Sequence, residues 1–230
     1  MAITAAQIVQ DACAIAKCPG MLALGGRSLN LVLDDLVLHR NLKVNLVSQT
    51  INVVANSNGP FNLEADYLRT YELMYLIEDQ PYFLNPSSRA QFDSEPNKST
   101  TSNYPYEWAT DLSPVAGGGV GLLYIYPQSN QNLTMTHRYF IKRADITTPE
   151  TSSTIPWFQD QDYLVQATAA RLMRVTDDVR YDRFVLDCEK MLQLHLMTEG
   201  DEQQVVKEVK LDPRRFRVAG AVKPTKLDPW

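Results

Sequence analysis

The hydrophobic period changes twice along this chain, from about 3.6 residues to about 2 and back again, and few architectures accommodate that order. In "ITAAQIVQDACAIAK", residues 3–17, Ile8, Ala12 and Ile15 share a helical face with Ala5, and Thr4 stands where it caps the first turn. Pro19-Gly20 stops that helix. A second is expected after Gly25-Gly26, capped by Ser28, with Leu29, Val32, Leu33, Leu36 and Val37 at helical spacing to about Arg40.

From about Val44 to Arg143 the chain is dense in Val, Thr, Tyr and Phe, punctuated by Asn-Gly, Pro and Gly, which is strand composition. "TINVVANSNGPFNL" carries a turn signal at Asn58-Gly59 with strand-like stretches on both sides. "YELMYLIEDQPYFLN" predicts strands over Glu72–Ile77 and Pro81–Leu84 around a Glu78-Asp79-Gln80 turn. In "LTMTHRYFIKR", Leu133, Met135, His137, Tyr139 and Ile141 alternate with a more polar set, and "GLLYIYP" upstream is its expected hairpin partner across "QSNQN".

A Ser/Thr/Pro linker, residues 144–155, then restores the helical period. Leu164, Thr168, Leu172 and Val175 mark one helix. After a break at Thr176-Asp177-Asp178, Tyr181, Phe184, Cys188, Met191, Leu192 and His195 mark another, ending near Met197 to Gly200. The expected class is α+β: a bundle formed by the N- and C-terminal helices, an inserted antiparallel β-rich lobe and an extended C-terminal arm. Its parts are a helical hairpin at 1–43, the lobe at 44–146, the closing helices at 147–200 and the arm at 201–230.

With 230 residues, 44% of them hydrophobic, the chain has material for a sizeable core. It contains no apolar run near the roughly 18 residues that span a bilayer, and Met-Ala-Ile-Thr is not the start of a signal peptide, so synthesis in cytoplasm without membrane partners is expected. Charge divides unevenly. Residues 207–230 hold seven Lys/Arg against three acids, whereas the other 206 residues hold 15 basic and 24 acidic side chains. A basic arm on an acidic body points to a separate contact surface.

Motifs that would carry chemistry are weak. Gly117-Gly118-Gly119 lacks the Gly-Lys-Ser/Thr of a phosphate loop and precedes a strand, which makes it a surface loop. His39, His137 and His195 have no metal-ligand spacing, and Cys13 and Cys18, five apart, would face different ways on an ideal helix. Neither a disulfide framework nor a metal or other cofactor is expected. His137 is expected to satisfy a local hydrogen bond and Cys188 to pack as a small hydrophobe. The carboxylate pairs Asp34-Asp35, Glu78-Asp79, Asp160/Asp162 and Asp177-Asp178 tempt a hydrolase reading. Asp160/Asp162 and Asp177-Asp178 are more simply helix-start carboxylates, and Glu78-Asp79 is turn chemistry. In "SNYPYEWATD", Tyr104, Tyr106 and Trp108 either fill the lobe's own core or face a neighbouring subunit or tail protein.

The stretch from "ADYLRTYELMYLIEDQPYFLN" through "NYPYEWATDL" to "LLYIYPQSNQNLTMTHRYFIKRADI" resembles the head-to-tail adaptor, or head-completion, proteins of tailed bacteriophages, short-tailed ones especially. The resemblance rests on Tyr67-Leu68-Arg69, Tyr71 to Pro81, Asn103-Tyr104-Pro105 with Ala109-Thr110-Asp111, Leu123 to Pro127 and Tyr139 to Ile146, and in element order it covers most of residues 3–198. It implies a non-enzymatic virion protein, a head-tail connector whose ring of twelve copies sits below the portal, receives a tail nozzle or tail fibre protein, and lets DNA pass without specific binding. Its ring contacts come from the helical body and its portal contact from the C-terminal segment. Two departures stand out. The insertion "NPSSRAQFDSEPNKSTT" extends the lobe, and the tail after Gly200 is long.

Rival readings are a phage-associated cell-wall hydrolase using the carboxylate pairs, and a nucleic-acid-binding module using Arg214-Arg215-x-Arg217. The acidic body makes duplex binding weak and salt-dependent. In the arm, Lys-Leu-Asp-Pro occurs twice, and Pro213, Pro224 and Pro229 favour extended chain. Fully extended, the 21 residues from Lys210 reach about 70 Å. The expected portal-contacting residues are Leu211, Arg214, Arg215, Phe216, Arg217, Leu227 and Trp230.

Overall fold

The first helix, α1 (Ala5–Ile15), begins on a reciprocal cap: Gln7 N–H donates to Thr4 Oγ1 at 3.3 Å and the Gln7 side chain accepts from Thr4 N–H at 2.9 Å. In the computed structural model, which describes residues 3–95 and 100–199, α1 ends where Lys17 turns left-handed (φ 55°). Cys18 N–H then donates back to Cys13 O at 2.9 Å and Lys17 N–H to Ala14 O at 3.1 Å, a Schellman ending. Helix spacing separates the two thiols, but this reversal brings Cys18 back beside Cys13, and both are free, buried cysteines. Burial first, and then the neighbouring Cys18, push the Cys13 thiol up to about 11.

Helix α2 (Leu22–His39) starts earlier than expected and contains both glycines. Gly25-Gly26 therefore does not punctuate the chain; it is a packing device. A Cβ on Gly25 would lie 2.9 Å from Val9 Cγ1 and 3.0 Å from Cys13 Sγ, so α1 and α2 cross where only hydrogen fits. Ser28, the expected cap, is a buried residue of the helix interior. Gly25→Leu is expected to lower stability by about 2 kcal/mol through overpacking, read as a melting temperature lower by about 5 °C.

The closing helices are α4 (Gln161–Val175) and α5 (Tyr181–Glu199). Asp160 caps α4 by accepting from Tyr163 N–H at 3.0 Å. The end of α4 repeats the α1 turn: Asp177 is left-handed (φ 52°) and Asp178 N–H donates to Met173 O at 3.0 Å. Asp177 thus terminates a helix instead of opening one. Asp178 accepts from Arg180 N–H at 2.9 Å ahead of α5. Helix α4 is the hub of the bundle, packing against α1, α2 and α5. Its Leu164, Thr168 and Leu172 are fully buried among Ile8, Val9, Leu29 and Leu36, whereas Val175, expected on the same face, is 61% exposed. The linker before α4 packs as a strap, with Ala5 N–H donating to Thr154 O at 2.8 Å. No described helix is long and apolar enough to cross a membrane.

The β lobe contains β1 (Leu46–Val53), β2 (Phe61–Asn62), β3 (Tyr67–Ile77), β4 (Gln80–Phe83), β5 (Asn85–Pro86), the short helix α3 (Arg89–Ser94), β6 (Thr101–Ser102), β7 (Glu107–Asp111), β8 (Leu122–Tyr126), β9 (Gln128–Ser129) and β10 (Leu133–Ile141). One sheet has the order β1-β10-β3-β4, a second β2-β8-β7-β5, and β6 pairs with β9. The β3–β4 hairpin is present, turning through Glu78 and Asp79 at φ 49° and 64°.

The expected β8–β10 hairpin is not. Strand β8 pairs with β7 and β2, and β10 pairs with β1 and β3 in the other sheet. The polar connection crosses between sheets, and its β9 runs parallel to β6. The Asn58-Gly59 turn makes the same kind of crossing, because β1 and β2 belong to different sheets. Gly59 has φ 103°, and a Cβ there would meet Leu123 O at 2.7 Å. Ile51, Leu73, Tyr75 and Met135 from the first sheet meet Leu123 and Ile125 from the second in one core. The α+β class with helices at both ends of the described chain and the β3–β4 hairpin are as expected; the partners of β8 and β10 are not.

Candidate interaction surfaces

The residues expected to carry chemistry are absorbed by structure. His137 is completely buried, and its Nε2 lies 2.9 Å from Thr70 Oγ1, which meets the expectation of a local hydrogen bond. Burial pulls the imidazole down to about 4. His39 is exposed on α2, and His195 rests on Phe158 with ring centroids 4.6 Å apart. Cys188 is buried as expected, and burial followed by the Asp187 charge pushes its thiol up to about 11. Among the described residues no group of three His, Cys, Asp or Glu is arranged to hold a metal ion.

The carboxylates disperse. Asp178 pairs with Arg180 at 2.6 Å, and the hydrogen bonds from Arg180 hold its carboxyl down at about 2. Arg180 also reaches Ile15 O at 3.2 Å, tying the turn after α4 to the end of α1. Asp35 pairs with Arg171 of α4. Gly117 ends a short 3-10 turn over Ser113–Gly117 and Gly118 caps it, and all three glycines are exposed, as a surface loop should be.

Of the three aromatics singled out, Trp108 turns inward and its indole N–H donates to Leu84 O at 3.2 Å. Tyr104 and Tyr106 are 45% and 41% exposed. Tyr106 leans edge-on against Tyr126 at 5.9 Å, so part of its ring is held and part presented to solvent. The insertion is anchored as well. Phe92 of α3 is buried beside Ala109 and Tyr126, and the Arg89 guanidinium lies 3.9 Å from the Tyr124 ring centroid.

The joints between lobe and bundle carry roles that the sequence did not reveal. Arg69, at the start of β3, donates to Leu38 O at 3.0 Å, to Arg40 O at 2.8 Å and to Asn41 Oδ1 at 2.8 Å. It caps the carbonyl end of α2, where a cation also complements the helix dipole. On the return path, Asn30 Nδ2 donates to Ile146 O at 3.0 Å and Ile146 N–H donates to Asn30 Oδ1 at 3.2 Å. Arg143 adds a third tie, donating to Asn45 Oδ1 at 3.1 Å and Val44 O at 2.8 Å. Arg69→Ala removes three charge-assisted bonds and is expected to speed limited proteolysis of the 40–46 and 141–147 connections several-fold, with a loss of about 1–2 kcal/mol in global stability.

The bundle has an open side. Helices α2 and α5 both pack on α4, and between them runs a groove of about 620 Å³ lined by Leu31, Val32, Tyr163, Val185, Cys188 and Leu192, with arginines along its rim. The expected portal-contacting residues Leu211, Arg214, Arg215, Phe216, Arg217, Leu227 and Trp230 lie outside the described residues. Neither protein-family models nor curated proteins match the chain.

Proposed function

We propose that the protein is a structural adaptor of a phage virion, forming a ring that joins the portal to the tail and docking on the portal through its C-terminal arm. The observation that carries this reading is where two of the resemblance-bearing stretches fall. Tyr67-Leu68-Arg69 and Tyr139 to Ile146 supply the joints that hold the β lobe to the helical body, through Arg69 on the end of α2 and Ile146 on Asn30. A subunit that transmits force between a partner above and a partner below must keep its two parts at a fixed angle, and these bonded joints do that.

A closed ring of identical copies requires two different patches on each subunit. The bundle groove on one side and the exposed Tyr104 and Tyr106 of the lobe on another offer chemically distinct surfaces. The direct test mixes the purified full chain with its portal and images the product by cryo-electron microscopy. A ring of this protein on the portal's tail-facing side is the expected result. Failure to join the portal across low and moderate salt would overturn the reading, whereas a monomeric state before mixing would not.

A further inference from the structure

We propose that the β3–β4 hairpin of one copy seats in the α2–α5 groove of the next, so that one contact, repeated around an axis, supplies both patches of the ring. The repetition rests on the ring reading; the contact itself is tested without portal. It starts from where the first sheet keeps its exposed apolar side chains. Across the outer face of that sheet one register row runs Thr50, Thr136, Met74 and Phe83, and the row beyond pairs Leu76 with Pro81. Threonines thus cover β1 and β10 there, while apolar residues gather on the hairpin, where Leu76 is 61% and Phe83 52% exposed.

The hairpin is shaped to meet a partner with side chains and not by strand pairing. Leu84 N–H donates to Leu73 O at 2.9 Å, so by alternation Pro81 and Phe83 turn their backbone to the open edge, and Pro81 has no N–H to offer there. Tyr75 Oη donates to Pro105 O at 3.0 Å, which sets the exposed Tyr104 and Tyr106 beside the hairpin as one continuous lobe surface. The seat lies on another copy. Arg69 fastens the start of β3 to the end of α2, and Ile77 is eight residues further along the strand, about 26 Å away at about 3.3 Å per residue. Among the described residues none from the lobe lines the groove.

Charge orients the fit. The hairpin turns through Glu78 and Asp79, both exposed, and residues 73–84 contain no cation. In the groove, Arg171 is engaged by Asp35, which leaves Arg40 and Arg174 on the α2 and α4 side and Glu189 on α5. Arg40 and Arg174 have no ion pair among the described residues. An acidic tip is therefore drawn to the α2–α4 wall and away from Glu189. In that orientation Leu76 and Phe83 meet Leu31 and Val175, which the groove leaves 50% and 61% exposed.

The test mixes full-length Leu76→Cys chains with full-length Leu31→Cys chains at high protein concentration, free of portal, and links them with a short bismaleimide. The control partner carries Leu194→Cys, a position 65% exposed on α5 and off the groove lining. Hairpin-to-groove dimers are expected to form about tenfold faster than control dimers, above the background of chains that hold only the native buried cysteines. Equal rates would overturn the proposal. Faster linking between two Leu76→Cys chains would mean a two-fold contact through the hairpins and would overturn it too. Neutralising the tip with Glu78→Gln and Asp79→Asn is expected to slow hairpin-to-groove linking several-fold at low salt and to remove its salt dependence. A rate indifferent to both changes would count against the seat. Portal binding is read separately. Chains that link but never join the portal would sink the adaptor reading alone, and a portal-bound ring without the link from 76 to 31 would sink the seat alone.

Discussion

Deleting residues 209–230 is expected to leave the body folded and to abolish attachment to the portal. The deletion removes no described residue, and among the described residues the buried side chains of the cores lie between Ala5 and Leu196, so the truncated protein should melt within about 2 °C of the full chain. The effect on binding is predicted to be large because the arm's apolar anchors, Leu211, Phe216, Leu227 and Trp230, act together. Each contributes on the order of 2 kcal/mol when fully buried, before the entropy of ordering the segment is subtracted. Around a ring the effects multiply, since one docked arm raises the effective concentration of its neighbours. Sedimentation of portal with full-length and truncated protein reads the difference: at least a hundredfold weaker association is expected. Unchanged affinity would show that the contact is made by the body.

How far the sequence foretold this molecule depends on which kind of information a residue carried. The cap formed by Thr4 and Gln7, and the buried row Leu164, Thr168 and Leu172, depend on neighbours three or four residues away, and such local signals are readable. Gly25-Gly26 misled because glycine writes a turn and a close helix crossing with the same letter; only the approach of Val9 and Cys13 separates the two. The β8–β10 hairpin misled for a related reason. Alternation states that one face of Leu133–Ile141 is buried, and it does, but it is silent about which strand lies alongside. The two crossings at residues 54–60 and 127–132 carry ordinary turn chemistry and happen to change sheets.

Functional features were legible in proportion to their locality. Tyr104 and Tyr106 are exposed and Trp108 is internal, yet all three sit in one polar stretch with the same spacing. Arg69 stood in plain view within Tyr-Leu-Arg, but its partners are carbonyls 29 and 31 residues upstream, which no local pattern encodes. The groove was invisible altogether. Leu31 and Val185 belong to unremarkable amphipathic faces, and the groove exists because α2 and α5 both pack on α4 and leave a gap between them.

His137 makes the lobe sensitive to acid, and the expected result is a loss of stability on the order of 3 kcal/mol between pH 7 and pH 4. The ring is fully buried, stacked on Tyr139 at 5.1 Å and tilted against Tyr67 at 5.8 Å, with Nδ1 lacking any partner. Across the strand, Gln49 also has a buried oxygen without a partner, while its Nε2 donates to Glu64 at 3.0 Å. Of the carboxylates on this side of the lobe, Glu64 accepts from Gln49, and the Tyr139 phenol is pushed up to about 12 by burial and then by the Asp66 and Glu64 charges. Burial therefore dominates and holds the folded imidazole at about 4, below its ordinary 6.5. Between those values the unfolded chain binds a proton that the folded chain refuses, so stability is complete above about 6.5 and declines as pH falls towards 4. Asp178, held at about 2, adds its own loss only below about 3.8, which separates the two windows. His137→Phe keeps the ring stack, and Thr70 Oγ1 retains Tyr67 Oη at 2.9 Å as a partner. Chemical denaturation of this variant should show no decline between pH 6.5 and 4, with His137→Leu as a second variant should the larger ring not fit. A flat stability profile for the native chain across that window would mean that the imidazole is hydrated in the folded lobe, and the acid sensitivity would have to be sought elsewhere.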